Sequence, residues 1–203
     1  MGISTECISG PRPFVLAIGD SLTAGYGVQA ADGFVAQLQQ RLRLRQTRTI
    51  VQDAGVSGNT SANALARLPR LLSSLNCLPD LAIVELGAND LLRGIALDAT
   101  RANLDAIVQE LKRCGIPVLL AAMEAPRFLG GFAQACDALY ADLAAKHDIA
   151  IWPFFPPGVL GNPTLTLRDG MHPNARAIAL IADHMAPAVL SAFQLGRDAE
   201  IAA

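Results

Sequence analysis

The sequence is poor in charged and aromatic side chains. Only 17% of its 203 residues are Asp, Glu, Lys or Arg, and 16 basic against 18 acidic residues give a net charge of −2. With 52% apolar residues, the composition excludes an intrinsically disordered chain. The absence of excess positive charge gives no support for a nucleic-acid partner. At this length, one domain with a full hydrophobic core is expected.

Long hydrophobic runs and a recognisable signal peptide are also missing. The longest apolar stretches, such as 81–86 and 118–123, are strand-sized, far below the roughly 20 residues of a membrane span. The N-terminus lacks a basic start followed by an apolar run. We therefore expect a cytoplasmic protein, or a periplasmic or secreted one if a signal peptide has been removed.

Cysteine is scarce, and its spacing is not that of a metal site. The four residues are widely separated and form no CxxC pair: Cys7, Cys77, Cys114 and Cys136. Reduced structural thiols are expected, with one disulfide as the alternative for an exported protein.

Short apolar runs without polar alternation predict five strands, at 14–18, 49–51, 81–86, 117–122 and 149–152. Such runs are typical of parallel strands covered on both faces. Helical patterns lie between them, with caps expected at Asp32, at Thr60 or Ser61, and at Asp98 or Thr100. Two further helices are expected over 132–146 and 174–193, the second broken or ended near Pro187.

This alternation predicts an α/β fold: a single-domain three-layer sandwich, with a five-stranded, mainly parallel sheet and helices on both faces. The domain is expected over 13–195, between a loose N-terminal tail (1–12) and a C-terminal tail (196–203). Because ligands bind beyond the carboxyl ends of parallel strands, the chemistry is sought in the loops that follow them.

Two segments in such loops carry groups suited to nucleophilic catalysis. Ser21 lies in the turn after the first strand, where its hydroxyl can stand open. Of three histidines, only His172 lies in a Gly/Pro-rich loop, three residues after Asp169 and just before a predicted helix. Asp169 can therefore accept from one imidazole nitrogen and leave the other for a serine hydroxyl, as in a catalytic triad.

Two loops rich in Gly and Asn, 55–60 and 87–90, follow the second and third strands. Backbone N–H groups near Gly58 and the amide of Asn89 can together form an oxyanion hole. A rival pattern, G-x-G-x-x-A at 25–30, matches the dinucleotide fingerprint. It starts too far after the strand, and no acidic residue follows at the expected distance. A non-catalytic nucleotide-binding α/β module is thus the alternative from another class.

Four ordered blocks resemble the SGNH (GDSL-type) serine hydrolases: GDSL at 19–22, GVSGN at 55–59, GAND at 87–90 and DGMHPN at 169–174. The resemblance covers about 15–185 and implies the flavodoxin-like SGNH hydrolase fold. Longer stretches resemble the thioesterase I/protease I/lysophospholipase and arylesterase subgroup. Asn59 departs from that subgroup, where Asp is frequent.

The resemblance implies a role for each matching residue. Ser21 would be the nucleophile, His172 the general base and Asp169 its orienter, while Ser21, Gly58 and Asn89 would form the oxyanion hole. Segment 91–95 matches a mobile loop beside the acyl pocket, and no metal or organic cofactor is implied. We expect the substrate pocket to be formed by loop residues at one sheet edge: Leu91, Leu92, Arg93, Ile95, Phe128 and Phe154.

The expected reaction is hydrolysis of a carboxylic ester or thioester through an acyl-enzyme on Ser21. A carbohydrate O-acetyl esterase on the same triad is the alternative. The expected partner is a small acyl ester or thioester, without nucleic acid or stable membrane insertion, and the protein is expected to be a monomer or weak dimer.

Overall fold

The computed structural model describes residues 13–45, 48–125 and 129–202, with side chains through residue 193. The predicted N-terminal tail and Phe128 lie outside these residues. Five strands form one sheet: β1 Phe14–Gly19, β2 Ile50–Gly55, β3 Leu81–Glu85, β4 Val118–Ala122 and β5 Ala150–Pro153. Their order is β2-β1-β3-β4-β5, and every neighbouring pair is parallel. The α/β prediction is confirmed, while the domain boundaries stay predictions.

The helices cover both faces of the sheet. They are α1 Phe34–Arg43, α2 Ser61–Ser73, α3 Ala88–Leu92, α4 Leu97–Arg113, α5 Gly131–His147 and α6 Ala175–Ala202. Helix α1 packs on α6, whereas α4 packs between α2 and α5. The apolar residues of β1 and β3 are buried between these layers, which explains their continuous apolar runs.

Helix starts agree only in part with the sequence patterns. Thr60 caps α2 as expected, and it exchanges capping hydrogen bonds with Asn63. Asp32 does not cap α1, because it is the last residue of the 3₁₀ turn Ala30–Asp32 and Gly33 takes the cap position. Helix α4 begins at Leu97, before both expected caps.

Helix α6 does not end near Pro187 but continues to Ala202, into the segment predicted as a C-terminal tail. Met185 and Val189 are fully buried on either side of the proline. Their burial is worth about 1.5–3 kcal/mol each, enough to offset the roughly 3 kcal/mol cost of an internal proline. By length and composition alone, Ala175–Phe193 could cross a membrane, but half of it is buried inside the fold, as in a core helix.

The strand order creates a crevice at the carboxyl edge of the sheet. The chain leaves β1 toward β2 on one side and later places β3 on the other side of β1. Ligands bind in the crevice at such a switch point in flavodoxin-like sheets. The loops after β1, β2 and β3 all end at this crevice.

Candidate active site

Three side chains far apart in the sequence form a continuous hydrogen-bonded chain at this edge. The Ser21 Oγ lies 3.0 Å from His172 Nε2, across 151 positions of sequence. The other ring nitrogen, Nδ1, lies 2.7 Å from Asp169 Oδ2. With the Nδ1 proton directed at Asp169, the Nε2 lone pair faces the serine hydroxyl. This arrangement can transfer a proton from a serine to an imidazole.

The loop that carries Asp169 is held by the same carboxylate that contacts the imidazole. Asp169 Oδ1 accepts from the backbone N–H groups of Met171 and His172 at 2.9 and 3.0 Å. Gly170, which follows Asp169, has φ +69°, a left-handed conformation that suits glycine. The N–H of Met171 and the His172 ring lower the pKa of Asp169 to about 2. The carboxylate is therefore ionised at neutral pH.

The serine lies in a tight turn that begins at a second, buried carboxylate. Asp20 Oδ1 accepts from the Leu22 N–H at 3.0 Å, and Oδ2 accepts from Asn89 Nδ2 at 2.9 Å. Burial raises the pKa of Asp20, while the hydrogen bonds from Leu22 and Asn89 oppose that shift. One side chain thus joins the serine turn to the segment after β3.

Gly58 and Asn89 lie beside Ser21 on the wall of the same cavity. Gly58 has φ +79° in the turn after β2, a conformation that favours glycine. Among the described residues, no hydrogen bond is seen from the backbone N–H of Ser21 or Gly58, so both groups can serve a ligand. The Asn89 amide donates to Asp20 and also to the Asn59 carbonyl at 3.1 Å.

Asn89 belongs to a short helix that the sequence patterns do not predict. Helix α3 begins after Gly87, whose φ of +119° suits glycine and whose missing Cβ leaves room for the Tyr140 hydroxyl. The next side chain, Asp90, is buried and accepts from the N–H and hydroxyl of Ser61 and from the Thr100 hydroxyl. Asp90 therefore ties α3 to α2 and α4 and fixes the direction of Asn89.

Arg67 is a further residue at the site that sequence reasoning misses. Its guanidinium donates to the Asn59 side chain at 2.8 Å, to the Ala54 carbonyl at 2.7 Å and to the Gly19 carbonyl at 3.1 Å. Burial lowers the pKa of Arg67, and the charge of Asp53 opposes that shift. A lone arginine on a helix gives no sequence signal for this role. It joins the ends of β1 and β2 to the Gly58 turn.

A cavity of about 920 Å³ opens at the serine and runs beneath α3. Leu91 and Leu92 line it as expected, but Arg93, Ile95 and Phe154 do not. Arg93 instead donates to the Gly58 carbonyl at 2.8 Å.

Phe154 is buried in the main core against Phe34, and its neighbour Phe155 lines the cavity. The two residues lie in the bend after β5 with their rings in edge contact, centroids 5.1 Å apart, and it is the second ring that reaches the cavity. The inner wall comes largely from elements with no chemical motif: Leu97, Met123, Ala125, Cys136 and Tyr140.

Neither a metal site nor a phosphate-binding turn is apparent in the part of the chain that the structure describes. Within that part, no group of three or more His, Cys, Asp or Glu side chains could hold a metal ion. The G-x-G-x-x-A segment leads into the three-residue 3₁₀ helix Ala30–Asp32. A dinucleotide site needs the N-terminus of an α-helix at that point.

Comparisons with known proteins agree with this geometry. The model of the GDSL-like Lipase/Acylhydrolase family matches residues 17–180. The chain belongs to this GDSL-like lipase/acylhydrolase family. As a member of it, the protein is an SGNH-type hydrolase of carboxylic ester or thioester bonds.

The relatives of this GDSL-like protein span most of its length. Esterase TesA of Pseudomonas aeruginosa is 37% identical over 174 residues, 85% of this chain and 86% of that protein. Thioesterase 1/protease 1/lysophospholipase L1 of Escherichia coli K12 is 39% identical over 173 residues, 85% of this chain and 81% of that protein. The crystal structure of AlinE4, an SGNH-hydrolase family esterase, has a TM-score of 0.74 at 41% identity and covers 91% of this chain and 98% of its own.

Proposed function

We propose that this hydrolase acts through an acyl-enzyme on Ser21, with His172 as general base and Asp169 as the residue that orients it. The observation that carries this proposal is the continuous Ser21–His172–Asp169 hydrogen-bonded chain at the mouth of the cavity. In the first step, His172 Nε2 takes the Ser21 proton while Oγ attacks the substrate carbonyl carbon. The imidazolium that forms is stabilised by the ionised Asp169.

The negative oxygen of the tetrahedral intermediate is held by three donors: the N–H groups of Ser21 and Gly58 and the amide of Asn89. Both hydrogens of that amide are engaged in the resting structure, one by Asp20 and one by the Asn59 carbonyl. We propose that the Asn89 amide hydrogen bonded to the Asn59 carbonyl is the one that also binds the oxyanion. The Asp20 carboxylate then keeps the amide in place during the reaction.

Collapse of the intermediate breaks the bond to the leaving group, and His172 donates its proton to the departing alcohol or thiol. Water then enters, His172 removes a proton from it, and the resulting hydroxide attacks the acyl carbonyl. In the second tetrahedral intermediate the bond between the acyl carbon and Ser21 Oγ breaks, His172 returns its proton to Oγ, and the carboxylic acid leaves.

The cavity supports an acyl chain longer than acetyl as the preferred substrate. Its inner wall is apolar and extends from the serine to Cys136 on α5. Hydrolysis of an acetyl ester on a sugar needs no such space, so a carbohydrate O-acetyl esterase is less well supported. We propose a small-molecule acyl ester or thioester as the substrate, without a nucleic-acid partner or stable membrane insertion. We further propose that the protein is a monomer or weak dimer.

Ser21→Ala and His172→Ala test the proposal, with p-nitrophenyl esters from two to sixteen carbons as substrates. Each variant should lose at least ~10⁴-fold in kcat, because the triad acts as a unit. A fluorophosphonate probe should label the unmodified protein at Ser21. Ser73→Ala, which changes an exposed serine at the far end of α2, is the matched control and should keep full activity and labelling. Activity of Ser21→Ala near that of this control would refute the proposal.

A further inference from the structure

A fully buried carboxyl lies beneath the serine turn and takes no part in the chemistry just described. Glu85 is the last residue of β3 and pairs in register with Gly19 of β1. Its Oε2 accepts from the Thr23 hydroxyl at 2.8 Å and from the Asp20 N–H at 3.4 Å. Its Oε1 has no partner among the described residues. A buried ionised carboxylate with one bare oxygen is costly, so the surroundings favour a neutral acid.

The bond between Thr23 and Glu85 also explains the glycine at position 19. A Cβ on that residue would collide with the Thr23 hydroxyl and with Glu85 Oε2. The glycine of the GDSL block is therefore required by the hydrogen bond that passes directly over it.

Glu85 and Asp20 are neighbouring buried acids with unequal surroundings. Asp20 receives hydrogen bonds on both of its oxygens, whereas Glu85 receives them on one. Burial, and then the charge of Asp20, raises the pKa of Glu85 well above its ordinary value. Tyr140 of α5 is another titratable group beside these acids, and burial raises its pKa, so it is neutral as well. Asp20 thus carries the negative charge and Glu85 the proton.

Any displacement of Asp20 would reach the reacting groups directly. Asp20 precedes Ser21 in the turn, and its carboxylate holds the Asn89 amide. We propose that Glu85, as a neutral acid bound to Thr23, is a positioning residue that fixes Asp20 and through it both Ser21 and the Asn89 amide. This inference rests on the roles proposed above for those two residues.

Three variants test it. Glu85→Gln keeps a neutral group that can accept the same two hydrogen bonds. Glu85→Leu keeps most of the volume but has no acceptor, and Thr23→Val removes the donor from the other side of the same bond. Each is assayed on a short p-nitrophenyl ester, with kcat expressed per active site titrated by the fluorophosphonate probe. This normalisation removes the effect of unfolded protein.

For Glu85→Leu we expect kcat per titrated site to fall by ~10- to 100-fold, because a displacement of about 1 Å costs up to ~10²-fold. KM should stay within about twofold, since the acyl cavity is untouched. Thr23→Val should lower kcat in the same direction, and the double variant should lose less than the two single losses combined. Glu85→Gln should keep kcat near that of the unmodified protein.

The neutral state of Glu85 has its own signature in the pH dependence of stability. An acid whose pKa rises on folding stabilises the native state fully below its unfolded pKa of about 4.3 and loses that contribution as the pH rises toward its folded value. The side chain that Glu85→Gln introduces cannot ionise. The melting temperature of this variant should therefore rise relative to that of the unmodified protein as the pH increases above about 4.3.

Several outcomes would overturn the inference. If Glu85→Leu or, should that variant not fold, Thr23→Val keeps full kcat per titrated site and only melts earlier, Glu85 is merely structural. If Glu85→Gln loses activity like Glu85→Leu, or shows no pH-dependent gain in stability, the residue does not act as a neutral acid. Activity in Ser21→Ala would instead refute the proposed function itself.

Discussion

Replacement of Arg67 by methionine should weaken both the fold and the reaction. Methionine keeps much of the apolar stem but removes three charge-assisted hydrogen bonds. The Gly19 carbonyl keeps a second donor, the Val56 N–H at 3.1 Å, and so loses little. The Ala54 carbonyl and the Asn59 side chain lose a charged donor, at about 1–3 kcal/mol for a buried group. Because the site is only half buried, we expect a total loss of about 2–3 kcal/mol in the free energy of unfolding.

The effect on the reaction follows from the position of Asn59, directly after Gly58. Loss of one oxyanion donor costs about 10²–10³ in kcat, and the Gly58 N–H would be displaced without being removed. We therefore expect kcat of Arg67→Met to fall by ~10- to 100-fold with little change in KM. The kcat of Arg67→Lys should lie between that of Arg67→Met and that of the unmodified protein. Its ammonium keeps the charge but lacks the planar fork that contacts three acceptors.

Urea denaturation and kcat per titrated active site measure the two effects separately. Asn59→Asp should instead raise the free energy of unfolding, since it turns the hydrogen bond with Arg67 into an ion pair. For such a partly exposed pair we expect a gain of about 1 kcal/mol at most, smaller at high salt. If Arg67→Met unfolds at the same urea concentration as the unmodified protein and keeps its kcat, the reasoning from these contacts is refuted.

Two further predictions concern the base and the cavity. Asp169→Asn should lower kcat by ~10²- to 10⁴-fold through misorientation of His172. Because the pKa of Asp169 is lowered to about 2, its stabilising effect should be complete above about pH 4 and vanish as the pH falls toward 2. A pH-independent difference in melting temperature between the two proteins would contradict this. Cys136→Phe should lower kcat/KM for long acyl esters by roughly tenfold or more relative to acetyl and butyryl esters. The control Cys136→Ala should not show this selective loss. Equal losses at all chain lengths would exclude Cys136 from the acyl pocket.

The chemical residues could be predicted because they lie in loops with local signals. Ser21 lies in the turn after a strand, and the glycine and proline around His172 mark a loop, so both could be assigned to the site edge without knowledge of packing. The geometry then brings their side chains to 3.0 Å. The Asp32 cap is wrong because Asp32 is the last residue of a 3₁₀ turn, which leaves Gly33 at the cap position, and the helical spacing alone does not reveal that turn.

The walls of the cavity could not be predicted, because they depend on how helices pack. Cys136 and Tyr140 are four positions apart on α5 and share one face, but the apolar pattern of that helix fits a core face equally well. Which face meets the crevice is decided by the packing of α5 on α4. The role of Arg67 could not be predicted for the same reason, since its three acceptors come together only after β1, β2 and the Gly58 turn are assembled.

The acids around the site divide into two environments with opposite consequences. Asp169 is exposed, bound by backbone N–H groups and ionised, so its charge stabilises the imidazolium formed when His172 takes a proton. Glu85 lies in the interior on the oxyanion side, where a second negative charge would oppose the charge that develops on the substrate oxygen. Its neutral state leaves Asp20 as the sole buried anion of the pair, and that anion is bound by the Asn89 amide. The same chemical group thus supports the base where it is ionised and positions the nucleophile turn where it keeps its proton.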